Sequence, residues 1–449
     1  MTNLSVSQKS GSIQLAELAK DTIVALIIQV TGLVLIYLLQ IFLAQWMGRT
    51  EYGIYEYVMS WSLLLAVPAE LGLPTTVLRL LPEYRVKQEW GRLQGLVRGC
   101  WLLVFSNSLL LIICAAGTIL VINYYHSFVY ATPLLLGMVL VLLQSLARFQ
   151  QETGRAMEDI LIAFIPSQII WPVLVLAGGF VFMQTQDDLT SVPMIAIASG
   201  MFIVIVVSQL YLLWKKLHSD FVAATPVYAY REWLNIAVIL LIQQASFGIL
   251  SQTDTVMIGS LIGPEAAGIY NAAVKTAAWT SFVLQIVNMV AAPVFTTLYT
   301  KGDIPELQKV VSCVTSWIFW PTVAMTILLM TFTQPILNLF GAGFVEASLS
   351  LKILIMGQMV NALCGSVGIL MIMTGHQNKS LPVIVASALL NIVLNAILIP
   401  IFNITGAAIA TSFTMIVWNI WLGALVVKYV GVRPSIFYTL FARENESIT

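Results

Sequence analysis

Charged side chains inside long apolar runs are the residues of this sequence best placed to do chemistry. Glu265 lies at the centre of a short turn sequence. Asp254 lies 11 residues before Glu265, and Lys275 lies 10 residues after it. If the flanking runs are antiparallel helices with a rise of about 1.5 Å per residue, the two side chains lie at nearly the same depth and can meet. The pair then either locks the helices together or faces a cavity, where Lys275 meets an anionic group and Asp254 takes a proton or Na⁺.

Two more charges are candidates in an earlier apolar run. Glu70 is expected deep in the second helix, which the sequence from Ala66 to Pro74 predicts to be kinked. It either faces a cavity or is a buried structural acid. Arg79 is expected at the cytoplasmic end of the same helix. There it either extends to the membrane interface or binds the phosphate of a lipid in the cytoplasmic leaflet.

Amide side chains are concentrated in the two runs that carry Asp254 and Lys275. They are Gln243, Gln244, Gln252, Asn271, Gln285 and Asn288. Amides in membrane helices usually hydrogen-bond to neighbouring helices, but they also suit sugar hydroxyl groups. The resulting candidate substrate-binding residues are Glu70, Arg79, Asp254, Asn271, Lys275 and Gln285.

A short repeat indicates which elements must position these side chains. Gly48-Arg-Thr-Glu-Tyr-Gly-Ile-Tyr55 returns as Gly263-Pro-Glu-Ala-Ala-Gly-Ile-Tyr270, 215 residues later and close to half the chain. The repeat predicts one helical hairpin at the head of each half, with a glycine-bracketed turn that needs a positive φ or a close backbone approach. Two similar lobes in a membrane imply a central interface, where transporters place their substrate.

The repeat is kept in its turn but not in its charges. At the same offset, Asp254 and Lys275 correspond to Leu39 and Ser60 in the first half. Glu70 likewise corresponds to a neutral residue, Gln285. Such asymmetry suits a cavity that handles an asymmetric substrate.

Composition places the chain in a membrane. Hydrophobic residues make up 59% and charged residues 9% of 449 residues, and the mean hydropathy is +0.91. No soluble domain can bury so much apolar surface. Lys+Arg and Asp+Glu balance at 21 each, so nothing indicates nucleic acid. The four cysteines lack metal-ligand spacing, and we expect no metal site, no cofactor and no catalytic residue.

Apolar runs of about 20 residues predict an all-α integral membrane protein with about twelve transmembrane helices. Lys and Arg lie in alternate loops, which places both termini in the cytoplasm. Because an even number of spans separates the repeated hairpins, the halves form a parallel pseudo-two-fold repeat. The predicted lobes are two six-helix units, residues 1–220 and 221–449.

The repeated stretch also carries a resemblance to a known family. Residues Trp46–Tyr55, Ala69–Pro74 and Leu80–Arg85 resemble the opening of the polysaccharide-biosynthesis, O-antigen-type flippases of the multidrug/oligosaccharidyl-lipid/polysaccharide superfamily. Asp254–Asn271 resembles the start of their second half. The resemblance covers nearly the whole chain in layout.

This resemblance implies a bacterial or archaeal plasma-membrane protein that moves a polyprenyl-(pyro)phosphate-linked oligosaccharide to the outer leaflet by alternating access. We also expect coupling to an H⁺ or Na⁺ gradient. Expected partners are a glycan polymerase and glycosyltransferases of the same pathway. The alternative is a multidrug or cation antiporter of the same fold. A membrane glycosyltransferase is disfavoured because the outer loops are short and carry no paired-carboxylate or metal motif.

Overall fold

The computed structural model describes residues 2–125, 128–185, 188–220 and 225–438, with side chains for 23–125, 128–185, 188–217 and 225–438. Every regular element in these ranges is helical, as the sequence predicts. The first seven α-helices are α1 Thr2–Glu70, α2 Leu73–Val86, α3 Trp90–Tyr125, α4 Ala131–Ala156, α5 Ile160–Ile165, α6 Trp171–Thr185 and α7 Ser191–Asp220. The remaining eight are α8 Tyr230–Leu261, α9 Pro264–Lys301, α10 Ile304–Thr331, α11 Thr333–Asn338, α12 Ser348–Cys364, α13 Val367–Met373, α14 Gln377–Phe402 and α15 Ile404–Tyr429.

Eleven helical segments of the described chain are long and apolar enough to cross a membrane. The first, Ile23–Glu70, has 48 residues, twice what one crossing needs. Gly48 lies inside it with φ 71° and ψ 175°, which is not helical. The break divides this segment into two stretches that are each long enough for one crossing, so the described residues contain twelve candidate spans, the number that the sequence predicts.

The predicted kink in the second span is confirmed. Helix α1 ends at Glu70, and Leu71 and Gly72 both have positive φ angles of 52° and 72°. Helix α2 then begins at Leu73, with Pro74 in its first turn, where the missing N–H costs nothing. The break leaves backbone carbonyl groups for side chains to satisfy, and the Asn107 amide donates to those of Pro68 and Ala69.

The chain forms two compact units. One holds the residues up to Leu39 and those from Leu65 to Leu241, and the other holds Gln40–Leu64 and the chain from Ile242 onward. The predicted lobes, 1–220 and 221–449, stay a prediction. In the first unit, α4 packs against α2, α3 and α7 and is mostly buried. In the second unit, the core is built around Phe295, Ile318 and Leu370.

A polar anchor fixes the start of α5 in the first unit. The Asp159 carboxylate accepts hydrogen bonds from the Ile162 N–H at 3.1 Å and from the Lys216 ammonium at 2.6 Å. Partial burial raises the pKa of Asp159, but Lys216 and the backbone N–H groups lower it more, so the pKa lies below its ordinary value. Asp159 therefore stays ionised and ties α5 to α7.

The two copies of the repeated octet lie against each other within the second unit. A Cβ atom on Gly53 would overlap the carbonyl oxygen of Pro264, and one on Gly268 would lie 2.5 Å from the carbonyl oxygen of Arg49. Arg49 and Pro264 are themselves equivalent in the repeat, so the contact is reciprocal. The positive φ expected of the turn glycines is also present, 71° at Gly48 and 136° at Gly263. The first glycine of each octet, Gly48 or Gly263, is therefore required by its positive φ, and the second, Gly53 or Gly268, by the close backbone approach.

Candidate functional site

Asp254 is the centre of a buried polar cluster in the second unit. Its carboxylate accepts hydrogen bonds from the Tyr270 hydroxyl at 2.7 Å, from the Asn395 amide at 2.6 Å and from the Thr411 hydroxyl. The Asn395 amide also donates to the Asn391 side chain at 3.1 Å. These residues come from α8, α9, α14 and α15, so a single carboxylate joins four helices.

The predicted ion pair between Asp254 and Lys275 is wrong. The Lys275 ammonium lies 3.6 Å from the Glu56 carboxylate instead. Glu56 is 3% exposed, and its second carboxylate oxygen has no hydrogen-bond partner. The Lys275 side chain is 34% exposed, so it is half-buried and accessible to a ligand.

The register of the hairpin explains this error. Tyr270 meets Asp254 and Asn271 meets Thr255 across the turn, which places the centre of the hairpin near Gly263 rather than at Glu265. Lys275 therefore lies about one helical turn deeper than Asp254. At that level its ammonium reaches Glu56, an acid that the sequence analysis did not single out.

The amide candidates of α9 differ in burial. Asn271 is buried and donates to the Thr255 hydroxyl at 3.2 Å, while its own carbonyl oxygen has no hydrogen-bond partner. Gln285 is exposed on the helix surface. Asn271 is the residue of the second half that corresponds to Glu56, since 271 − 56 is the repeat offset of 215. The repeat thus places a buried acid and a buried amide at equivalent positions.

Glu70 belongs to a separate group in the first unit. Its carboxylate lies 3.6 Å from the Arg148 guanidinium, and Glu152 pairs with Arg155 at 2.7 Å. Both carboxylates are buried, whereas both arginines reach the surface. Arg79 is exposed on α2. The structure therefore gives Glu70 a basic partner that the sequence did not indicate.

A small pocket in the second unit adds residues that sequence reasoning missed. It has a volume of about 240 Å³ and a mostly apolar lining, to which Asn288, Asn361, Ser366, Trp418 and Asn419 contribute the polar groups. The side-chain oxygens of Asn288 and Ser366 are buried and have no hydrogen-bond partner. Only Asn288 belongs to the predicted amide cluster. The others come from distant helices, and their spacing carries no signal that they converge.

We expect the Glu56–Lys275 pair to contribute strongly to folding. Lys275→Met would leave a nearly inaccessible carboxylate without its partner, and losing one member of a buried pair costs about 3–5 kcal/mol. The double change Glu56→Gln, Lys275→Met should recover most of that loss. Fluorescence-detected size-exclusion chromatography on heated membranes measures both effects.

Lys352→Met is the matched control for this pair, because Lys352 is exposed on α12. It should leave the melting temperature unchanged. A Lys275→Met protein as stable as the wild type would show that the pair between α1 and α9 does not contribute to folding.

Comparison with known proteins decides the family. The sequence model of the polysaccharide biosynthesis protein family matches residues 18–299, more than half of the chain. The chain belongs to this family. The match spans the first unit and the part of the second that carries Asp254, Lys275 and both copies of the octet.

Two relatives of this chain come from archaea. An uncharacterized membrane protein of Methanocaldococcus jannaschii is 23% identical over 409 residues, 86% of this chain and 80% of the relative. A probable low-salt glycan biosynthesis flippase, Agl15, of Haloferax volcanii is 22% identical over 434 residues, 93% of this chain and 85% of the relative.

Solved structures show the same fold. The inward closed conformation of the lipid II flippase MurJ matches with a TM-score of 0.68 at 16% identity, over 90% of this chain and 87% of that one. An inward-facing multidrug resistance MATE transporter of the MOP superfamily also matches with a TM-score of 0.68, at 12% identity, over 87% and 98% of the two chains. The chain is therefore a multi-pass membrane protein with the fold of that superfamily.

Proposed function

We propose that this protein flips a polyprenyl-(pyro)phosphate-linked oligosaccharide from the cytoplasmic to the outer leaflet by alternating access. The observation that carries the proposal is a pocket between the membrane-spanning helices of a polysaccharide biosynthesis family member, in which asparagine side chains and an indole ring interrupt an apolar lining. The proposal also places the protein in the plasma membrane with both termini in the cytoplasm. It includes the polymerase and glycosyltransferases of the same pathway as partners.

The chemistry of the pocket favours a sugar. Amide and hydroxyl groups can both donate to and accept from sugar hydroxyls, and the buried oxygens of Asn288 and Ser366 have capacity to spare. Trp418, which contacts Phe247 edge to face with centroids 6.0 Å apart, offers an apolar surface to a sugar ring. The volume is below the roughly 300–1,000 Å³ of sites for drug-sized ligands, so we assign the pocket to part of the glycan.

Lys275 is the proposed contact for the phosphate. It is half-buried within a membrane span, and its ammonium is a point charge of the kind that binds phosphate oxygens. Glu56 holds it in place in the absence of lipid. The double variant Glu56→Gln, Lys275→Met separates the two roles, because it should fold and yet fail to flip the lipid.

Asp254 is the proposed site of a coupling cation, H⁺ or Na⁺. Hydroxyl and amide groups from three other helices already converge on its carboxylate, and the Asn395 carbonyl oxygen is buried without a partner. Oxygen donors of this kind suit a hard cation. A bound cation would neutralise the buried charge, and its release would favour a different packing of the four helices.

The antiporter alternative has less support. Likeness to MATE transporters shows the fold alone. In the described part of the chain, the residues that line the pocket around Asn288 include no acid. A cationic drug would require such an acid to compensate its charge. A neutral, hydroxyl-rich head group does not.

Ligand-induced stabilisation of the purified protein tests the proposal. A polyprenyl-pyrophosphate oligosaccharide should raise the melting temperature more than polyprenyl phosphate without a glycan, because a ligand stabilises the state it binds. Asn288→Leu should remove the advantage of the glycan, and Asn338→Leu on exposed α11 should not. Stabilisation by a cationic dye but not by the lipid-linked glycan would favour the antiporter.

A further inference from the structure

The first unit contains a second, larger cavity that the proposed transport does not use. It has a volume of about 490 Å³ and lies between α3, α4, α7 and the segment before α8. Its walls include Leu102, Trp214 and Tyr228, whose side chains are 57%, 59% and 50% exposed. Because these exposed residues are apolar and aromatic and lie on spanning helices or beside them, the cavity opens toward the lipid rather than toward water.

Two polar side chains inside this cavity lack partners. Gln150 is 1% exposed, and neither its amide nitrogen nor its carbonyl oxygen has a hydrogen-bond partner. The indole N–H of Trp101 is also buried without an acceptor. An orphaned buried polar group costs about 1–3 kcal/mol, so three such atoms on residues of one cavity wall favour a ligand that reaches and satisfies them. Arg98 lies on the same wall and adds a positive charge.

The segment before α8 is held in place to form one wall. Gly91, Gly95 and Gly99 lie about one turn apart on α3. A Cβ on Gly91 or Gly95 would overlap the backbone oxygen of Thr225 or Val227, and one on Gly99 would lie 3.0 Å from the Trp233 ring. The Val227 N–H donates to the Gly91 carbonyl at 2.9 Å. Tyr228 and Tyr230 stack on each other with centroids 5.5 Å apart. The segment that leads into α8 is therefore fixed against α3 and forms a defined wall of the cavity.

We propose that this cavity binds an anionic glycerophospholipid of the leaflet on the side where α3 begins, which the distribution of Lys and Arg predicts to be cytoplasmic. The phosphate accepts hydrogen bonds from Arg98, Trp101 and the Gln150 amide nitrogen. A head-group hydroxyl, as in phosphatidylglycerol, donates to the Gln150 carbonyl oxygen. The acyl chain lies along Leu102, Leu210 and Leu213, as basic pockets between membrane helices accommodate lipids. Tyr and Trp side chains at this level suit the membrane interface.

Native mass spectrometry of the full chain, purified in detergent and titrated with phosphatidylglycerol, phosphatidylcholine or polyprenyl phosphate, tests this site. The wild type should bind phosphatidylglycerol selectively. Gln150→Leu and Trp101→Phe should each weaken that binding about tenfold or more, since each removes a hydrogen bond to a charged group. Because Gln150 has no protein partner, Gln150→Leu should melt without lipid at or above the wild-type temperature.

Matched changes elsewhere provide the controls. Trp317→Phe and Gln334→Leu alter exposed residues of α10 and α11 and should bind the lipid like the wild type. Trp101→Phe, which removes one N–H, keeps the test decisive if Gln150→Leu does not fold. Equal binding by wild type and the folded variants, or equal binding of the two phospholipids, would overturn the proposal. Preferential binding of polyprenyl phosphate would also overturn it, because the cavity would then belong to the transported lipid.

Discussion

Replacing Asp254 by asparagine is expected to reduce transport to background while leaving folded protein in the membrane. Asparagine has nearly the same shape and can still accept hydrogen bonds from the Tyr270 and Thr411 hydroxyls that the carboxylate accepts now. It cannot carry a proton or balance Na⁺, so the cation-dependent step is lost. The measurement is export of the glycan by cells that carry the variant as their sole copy, with the amount of membrane protein determined in parallel.

Asp303→Asn is the matched control for this prediction. Asp303 caps α10 by accepting from the Glu306 N–H at 3.1 Å, and asparagine caps helices equally well. This variant should export normally. Normal export by Asp254→Asn would show that the buried carboxylate is structural, and coupling would have to be sought elsewhere.

Gly53→Ala and Gly268→Ala are expected to destabilise the protein and to abolish transport. The added Cβ of Gly53 would overlap the Pro264 carbonyl oxygen, and that of Gly268 would press on the Arg49 carbonyl at 2.5 Å. Both obstacles are backbone atoms, which cannot rotate away as a side chain can. Overpacking of this kind typically costs about 1–3 kcal/mol, and here the two hairpins must separate. Melting temperature and export activity measure the two effects.

Gly117→Ala controls for the loss of a glycine. Gly117 lies inside α3, and a Cβ there would meet no atom within 4 Å. Alanine should be neutral or stabilise the helix by up to about 1 kcal/mol. If Gly53→Ala behaved like Gly117→Ala, the reciprocal contact between the two octets would not be needed for the fold.

The helical architecture was predictable because hydrophobic length determines it. A span needs about 20 apolar residues, and that rule predicts twelve crossings, while the glycines of the repeat and the sequence from Ala66 to Pro74 predict the turn at Gly48 and the kink before Leu73. The same rule cannot detect that Gly53 and Gly268 touch, because the repeat shows only that the octets are alike. Close approach between distant segments depends on tertiary packing.

The site was predictable in its residue types but not in its pairings. Asp254 and Lys275 were identifiable as buried charges, but a shift of the turn from Glu265 to Gly263 changes which side chains face each other. Glu56 directly follows the first octet and lies 219 residues before Lys275, so no spacing in the sequence links the two. Asn395 and Thr411, which complete the cluster around Asp254, lie more than 140 residues away in the sequence.

Flipping by the purified protein in liposomes is the most direct test of the account. A polyprenyl-pyrophosphate oligosaccharide is placed in both leaflets, and a glycan-cleaving enzyme is added outside. In liposomes without the protein, the enzyme should cleave only the outer half of the lipid. In liposomes with the protein and a cation gradient, it should cleave nearly all of it. With Asp254→Asn or with Glu56→Gln, Lys275→Met, about half should remain protected. If the inner half of the lipid stayed uncleaved with folded wild-type protein and a cation gradient, the proposed function would be contradicted.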